Sequence, residues 1–159
     1  MAGSHETRGV LREVVESDLP VFFEHQRDPE ATRMAAVPAR DREAFDAHWR
    51  KILAGDEVTR RTIVTEGKVA GNIVVFERDG RPLVGYWIGR EFWGKGLATR
   101  ALRELLAEVP RRPLYAYAAR SNVASMKVLE KCGFVVTAYE TGFDPALGEE
   151  IEQALFELR

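Results

Sequence analysis

Two short runs hold residues whose types and spacing could do chemistry. The first is Trp93-Gly94-Lys95-Gly96-Leu97-Ala98-Thr99, a turn with two glycines that opens an apolar-periodic stretch. The first turn of a helix leaves four backbone N–H groups without intrahelical partners, and the aligned peptide dipoles put about half a positive charge there. Glycines at 94 and 96 carry no Cβ to hold an anion away from those donors. The run therefore suits a pyrophosphate, with the Thr99 hydroxyl and the Lys95 ammonium as helpers. The second run is Asn122-Val123-Ala124-Ser125-Met126-Lys127-Val128-Leu129-Glu130-Lys131-Cys132-Gly133-Phe134. It has helical spacing, an asparagine suited to cap its first turn, and a glycine suited to end it.

The turn has two competing readings. One is an ordinary strand-to-helix connection with two glycines. The other is a nucleotide-binding P-loop, because Gly89 and Gly94-Lys95 stand at nearly that spacing. A P-loop needs Ser or Thr after the lysine to hold Mg²⁺, and here the residue is Gly96. No apolar strand ending in Asp follows to supply the second Mg²⁺ contact.

Composition narrows the classes. The 159 residues fit one domain, expected over residues 8–159 behind a flexible lead at 1–7. Hydrophobic residues make up 45%, enough for a core. Lys+Arg 23 against Asp+Glu 25 gives a net charge of -2, without the cationic excess that a nucleic-acid surface needs. Cys132 is the one cysteine, so neither an intrachain disulfide nor a multi-thiolate metal site is expected. His5, His25 and His48 show no metal-ligand spacing. No apolar run approaches the ~20 residues of a membrane span, and no signal segment opens the chain. A cytoplasmic protein without metal, nucleic-acid or membrane partners is the expectation.

The elements that must position the two runs follow from periodicity. Val10–Val14 predicts a short strand, and Ser17-Asp18 an N-cap for a helix to about Arg27. Glu30–Arg40 reads as a loop or a broken helix. Asp41 caps a second helix through Leu53. Thr59–Thr65, Val69–Phe76 and Leu83–Ile88 alternate as strands joined by tight turns. Lys95–Glu108 is helical, Leu114–Ala118 a strand, Asn122–Lys131 helical, and Phe134–Thr141 and Ile151–Leu158 strands. The order β-αα-βββ-α-β-α-ββ implies an α/β (α+β) domain: one mixed sheet with helices on both faces. The crossover makes Leu83–Ile88 and Leu114–Ala118 parallel.

Taken together, W-G-K-G-L-A-T and N-x-x-S-x-K-V-L-E-K-x-G-F resemble the GNAT superfamily of acyl-CoA N-acyltransferases. The likeness is greatest to its RimJ/RimL-type branch of ribosomal-protein N-terminal acetyltransferases, and it covers Thr59 to Arg159 in element order. It implies direct acetyl transfer from acetyl-CoA to a primary amine, on a protein N-terminus or a small molecule, by a monomer or homodimer. A CoA-binding module without turnover is the alternative. The resemblance also assigns residues. The strand at Trp87-Ile88-Gly89 would pair its backbone with the pantetheine amides. The N–H groups of Trp93, Gly94, Lys95, Gly96, Leu97, Ala98 and Thr99 would hold the pyrophosphate. Asn122 would bond the pantetheine arm, and Ser125 would face the thioester sulfur. Two positions depart from the pattern: Glu91 stands where Gln or Arg is usual, and Leu129 where many members have a tyrosine acid.

Direct transfer needs an uncharged amine, a polarised carbonyl and relief of charge on the departing thiolate. That thiol should titrate near a cysteine, roughly 8.5. A serine hydroxyl is far less acidic, so Ser125 suits a hydrogen-bond donor or a relay from water; a surface serine bonded to backbone is the plainer reading. A backbone N–H near Ile88-Gly89 would polarise the carbonyl. Asp144 lies where some relatives place a proposed general base, and it equally suits a turn before Pro145. Glu140, Tyr117, His48 and a water chain are lesser candidates. The acceptor would enter between Glu30–Arg40 and Asp144–Glu150, where Arg33 and Arg40 face Asp144, Glu149 and Glu150 in a mixture that selects no particular amine.

Overall fold

The computed structural model describes residues 9–35, 39–144 and 148–159, with 34, 35 and 144 described by backbone only. The expected lead at 1–7 lies outside them. Seven strands, β1 (Leu11–Arg12), β2 (Thr59–Thr65), β3 (Lys68–Arg78), β4 (Arg81–Ile88), β5 (Leu114–Ala119), β6 (Val135–Asp144) and β7 (Glu149–Leu158), form one sheet in the order β1-β2-β3-β4-β5-β7-β6. Five helices accompany it: α1 (Leu19–Arg27), α2 (Pro29–Ala35), α3 (Arg42–Ala54), α4 (Leu97–Glu108) and α5 (Val123–Lys131). The meander β2-β3-β4 is antiparallel, and α4 carries the chain over to β5, which runs parallel to β4.

Each face of the sheet has its own helices because each helix carries one apolar stripe. Leu97, Ala101, Leu102 and Leu105 of α4, with Leu129 of α5 and Phe134 just past it, pack against Ile73, Ala116 and Phe156. On the other face Phe22 and Phe23 of α1 meet Phe45 and Trp49 of α3, with Val69 and Val74 beneath them. The Phe22 and Trp49 rings lie 5.1 Å apart. Burying side chains of this size contributes about 1.5–3 kcal/mol each. The α4/α5 cluster thus holds β4 and β5 from one face, and the α1/α3 cluster seats on β3 from the other.

Two expectations change, and one open alternative is decided. Asp18 does not cap α1: its carboxylate is buried and accepts from both terminal Arg12 guanidinium nitrogens, at 2.8 and 2.9 Å, the Thr62 hydroxyl at 2.6 Å and the Val15 N–H at 3.0 Å. The charged Arg12 on β1 and the Thr62 hydroxyl on β2 draw the carboxylate away from the α1 amides. The stretch read as a loop or a broken helix from Glu30 begins as a helix: α2 is started by Pro29 in its first turn and by Asp28, whose side chain accepts the Glu30 N–H at 3.0 Å. Its residues 36–38 lie outside the described ones. The β6–β7 hairpin is longer than periodicity implied, with pairing as far as Asp144↔Glu149. Asp41 caps α3 as expected, accepting the Ala44 N–H at 2.8 Å.

Candidate functional site

The turn before α4 presents its backbone outward. Gly94 and Gly96 adopt φ of 79° and 73°, the left-handed region where an L side chain is strained. A Cβ at either glycine would meet no protein atom within 4 Å, so the space in front of the turn is open. No side chain caps α4, and its first internal bond runs from the Arg100 N–H to the Gly96 carbonyl at 3.2 Å. The N–H groups of Gly94, Lys95, Gly96, Leu97, Ala98 and Thr99 consequently have no hydrogen-bond partner among the described residues. Six consecutive free amides at a helix N-terminus form a cradle for a di-anion.

One expected donor is not available there. The Trp93 N–H is spent on the Arg90 carbonyl at 3.1 Å, closing a 3-10 turn over Arg90–Phe92. Thr99 is buried in the first turn of α4. Lys95 is exposed, and the Trp93 indole is half-exposed beside the turn, its Nε1–H donating to the Ile88 carbonyl at 2.9 Å.

One turn away, the parallel strands separate. β4 and β5 share a single register pair, Leu83↔Tyr115, and beyond it they splay. Antiparallel bonding alternates along a strand, and the Gly89 N–H donates to the Ala70 carbonyl at 2.8 Å. Counting back by twos, Trp87, Gly85 and Leu83 also bond toward β3, while Ile88, Tyr86, Val84 and Pro82 turn their backbones toward the splay. Pro82, which has no N–H, occupies an outward position and costs the β3 ladder nothing. This corrects the expectation for Trp87-Ile88-Gly89: neither Trp87 nor Gly89 offers an amide to the splay. Ile88 and Tyr86 do.

Side chains alternate as well, so Tyr86 and Ile88 point to the α4/α5 face and Gly89 to the α1 face. There Tyr86 reaches α5. Its hydroxyl lies 2.8 Å from Ser125 Oγ and 3.4 Å from the Ser125 carbonyl. Burial pushes the Tyr86 phenol up to about 12. Asn122 caps α5, its Oδ1 accepting the Ser125 N–H at 3.2 Å. Helix α5 then stops at Gly133, where the Phe134 N–H turns back to the Leu129 carbonyl at 3.0 Å. Leu129 itself is buried in the core. Tyr86 escaped the sequence reading, although its spacing of two from Ile88 was the available signal. Cys132 is half-buried beside α4, its thiol pushed up by burial.

On the opposite face His25 of α1 lies so close to Gly89 that a Cβ there would sit 2.6 Å from the imidazole. The Nδ1 of His25 is buried without a partner, and burial holds the imidazole below its ordinary value against the pull of Glu91. His25, Glu24, Asp28, Arg90 and Glu91 line a cleft of about 430 Å³, with Arg90 paired to Asp28 at 3.2 Å. Glu91 is exposed, as expected. Two base candidates meet on β5 and β6: the Tyr117 hydroxyl donates to the Glu140 carboxylate at 3.2 Å. His48 sits on α3 against Trp49. The backbone of Asp144 stands four register positions beyond Glu140, which is level with Gln153 and the end of β5. At strand spacing that is roughly 13 Å past the end of β5. No cluster of three His, Cys, Asp or Glu placed for a metal ion occurs among the described residues, and no helix there is long and apolar enough to cross a membrane.

Residues 8–135 match a family model described as an acetyltransferase (GNAT) domain. The chain is 27% identical over 164 residues to the uncharacterized N-acetyltransferase p20 of Bacillus licheniformis, covering 95% of this chain and 92% of that one. Its fold is similar to the spermidine N-acetyltransferase of Vibrio cholerae in complex with CoA and spermine, with a TM-score of 0.83 at 15% identity and 93% of each chain covered. It is also similar to RimL, a ribosomal alpha-N-protein acetyltransferase in complex with CoA, with a TM-score of 0.76 at 17% identity and 93% of each chain covered.

Proposed function

The chain belongs to the acetyltransferase (GNAT) family, and from that premise we propose that it moves an acetyl group from acetyl-CoA directly to a primary amine. The observation that carries this reading is the row of free amides from Gly94 to Thr99 beside the β4–β5 splay. In this reading those amides bind the CoA diphosphate, and the pantetheine arm lies in the splay against the outward backbones of Ile88 and Tyr86. Asn122 spends its Oδ1 on the cap and has its amide NH₂ left for the arm. The amine nitrogen attacks the thioester carbonyl, the C–N bond forms, and the C–S bond breaks. An outward N–H at Tyr86 or Ile88 polarises the carbonyl. Ser125 Oγ–H stabilises the departing thiolate, which takes a proton from water to end as the CoA thiol, and the amine's proton goes to water or to a carboxylate at the acceptor mouth, with Asp144 as one candidate.

The test is to incubate the protein with acetyl-CoA and a panel of primary amines while following thiol release. Spermine and a peptide N-terminus both belong in it, as does an aminoglycoside. Release with at least one amine is expected. Tight CoA binding without release on the whole panel favours a binding module, and Mg²⁺-dependent ATP binding without CoA binding overturns the assignment. Ser125→Ala should lower kcat roughly 10- to 100-fold, as loss of a hydrogen bond to a charged group does, and leave CoA affinity intact. A wild-type rate removes Ser125 from the chemistry.

A further inference from the structure

We infer that Tyr86 positions Ser125 for the leaving thiolate: the phenol O–H donates to Ser125 Oγ, so the one proton of Ser125 is left to point into the splay. The inference rests on the assignment of Ser125 to the thiol side. A serine hydroxyl has one proton and two acceptor sites. Were Ser125 the donor in its 2.8 Å contact with Tyr86, that proton would be consumed and none would reach the sulfur.

The direction follows from distance and acidity: the phenol's other acceptor, the Ser125 carbonyl, is farther away, at 3.4 Å against 2.8 Å. A phenol is a stronger acid than an alkyl alcohol, so in a shared hydrogen bond it is the better donor. Burial keeps the Tyr86 proton in place through and beyond the neutral range. The backbone around Ser125 is pinned as well, because its N–H is held by the Asn122 cap at 3.2 Å. Strand position adds a constraint. Tyr86 is an outward residue of β4 beyond the single pair that joins β4 to β5, so its side chain bridges to α5 next to the gap. The bond therefore fixes the Ser125 rotamer across the splay without any transferred proton. The Tyr86 side chain touches no reacting atom in this scheme; it acts through Ser125.

A double-mutant cycle separates this role from simple packing. Tyr86→Phe keeps the ring and removes the hydroxyl; Ser125→Ala removes its partner. In the wild-type background Tyr86→Phe should lower kcat roughly 2- to 12-fold, the range of one hydrogen bond, with KM for acetyl-CoA, CoA affinity and Tm nearly unchanged. In the Ser125→Ala background the same change should alter kcat less than about 2-fold, since coupled residues are not additive. A full effect in both backgrounds means that Tyr86 acts independently and overturns the inference. So does a Tyr86→Phe loss that is matched in CoA affinity and Tm, which marks a packing residue. If Ser125→Ala lowers kcat and Tyr86→Phe does not, the inference fails and the Ser125 assignment stands. If Ser125→Ala is itself without effect, both fall.

Discussion

Replacing Gly94 by valine tests the anion cradle most directly, because two separable costs can be worked out beforehand. The first is backbone strain. Gly94 has φ of 79°, and an L residue in the left-handed region costs roughly 1–2 kcal/mol, more for a β-branched one. In a chain of this size each kcal/mol lowers Tm by about 2–4 °C, so a fall of roughly 2–8 °C is expected. The second cost falls on the ligand alone. A Cβ at 94 meets no protein atom within 4 Å, so the valine methyls occupy only the space in front of the free amides. Each hydrogen bond to a charged group is worth about 1.5–3 kcal/mol, so losing one weakens CoA binding by roughly 10- to 150-fold. Gly80 provides the control, with φ of 78° and likewise nothing near its Cβ position, but in the β3–β4 turn far along the strand. Calorimetric titration with CoA on both variants, beside their melting curves, distinguishes the two costs. Both should lose Tm, and only Gly94→Val should lose CoA affinity. Wild-type affinity in Gly94→Val would refute the cradle, and equal losses in both variants would reduce it to strain.

Gly71→Ala should destabilise the fold by about 1–3 kcal/mol, as overpacking does, because its Cβ would come 2.1 Å from the Trp87 carbonyl oxygen. Chemical denaturation reads the loss, and a variant of unchanged stability would show that β3 and β4 yield freely here. Asp18→Asn should cost about 1–3 kcal/mol near neutral pH, the range of a hydrogen-bonded charge. Burial alone would raise the Asp18 carboxyl, but hydrogen bonds from Arg12, Thr62 and the Val15 N–H together hold it below its usual range. Its contribution is therefore present above the unfolded value of about 3.9 and is lost as pH falls through the lower folded value. Denaturation curves of the two proteins should accordingly converge in acid; a constant difference down to that range would contradict the ion pair.

Local chemistry made much of this protein legible in its sequence. Alternation and turn residues gave the meander, helical spacing gave the α4 stripe, and the glycines at 94 and 96 announced a turn open to an anion. Those features depend on neighbours a few residues apart, and nearby residues dictate them. The motif pair reached the family for the same reason, since both runs are local. What the sequence withheld was every feature that a distant partner decides. The Asp18 carboxylate left its helix end because Thr62, 44 positions away, joined the nearby Arg12 in a multiply bonded, charged partner set. The free face of β4 was settled by the Gly89–Ala70 bond, which fixed the phase of a two-residue alternation that no composition reveals. Tyr86 and Ser125, 39 positions apart, met only because a crossover helix set β4 beside α5. The residues could say which groups were able to bind an anion or hold a proton; folding chose which of them face one another, since hydrogen bonding acts over a few ångströms of space, whatever the separation along the chain.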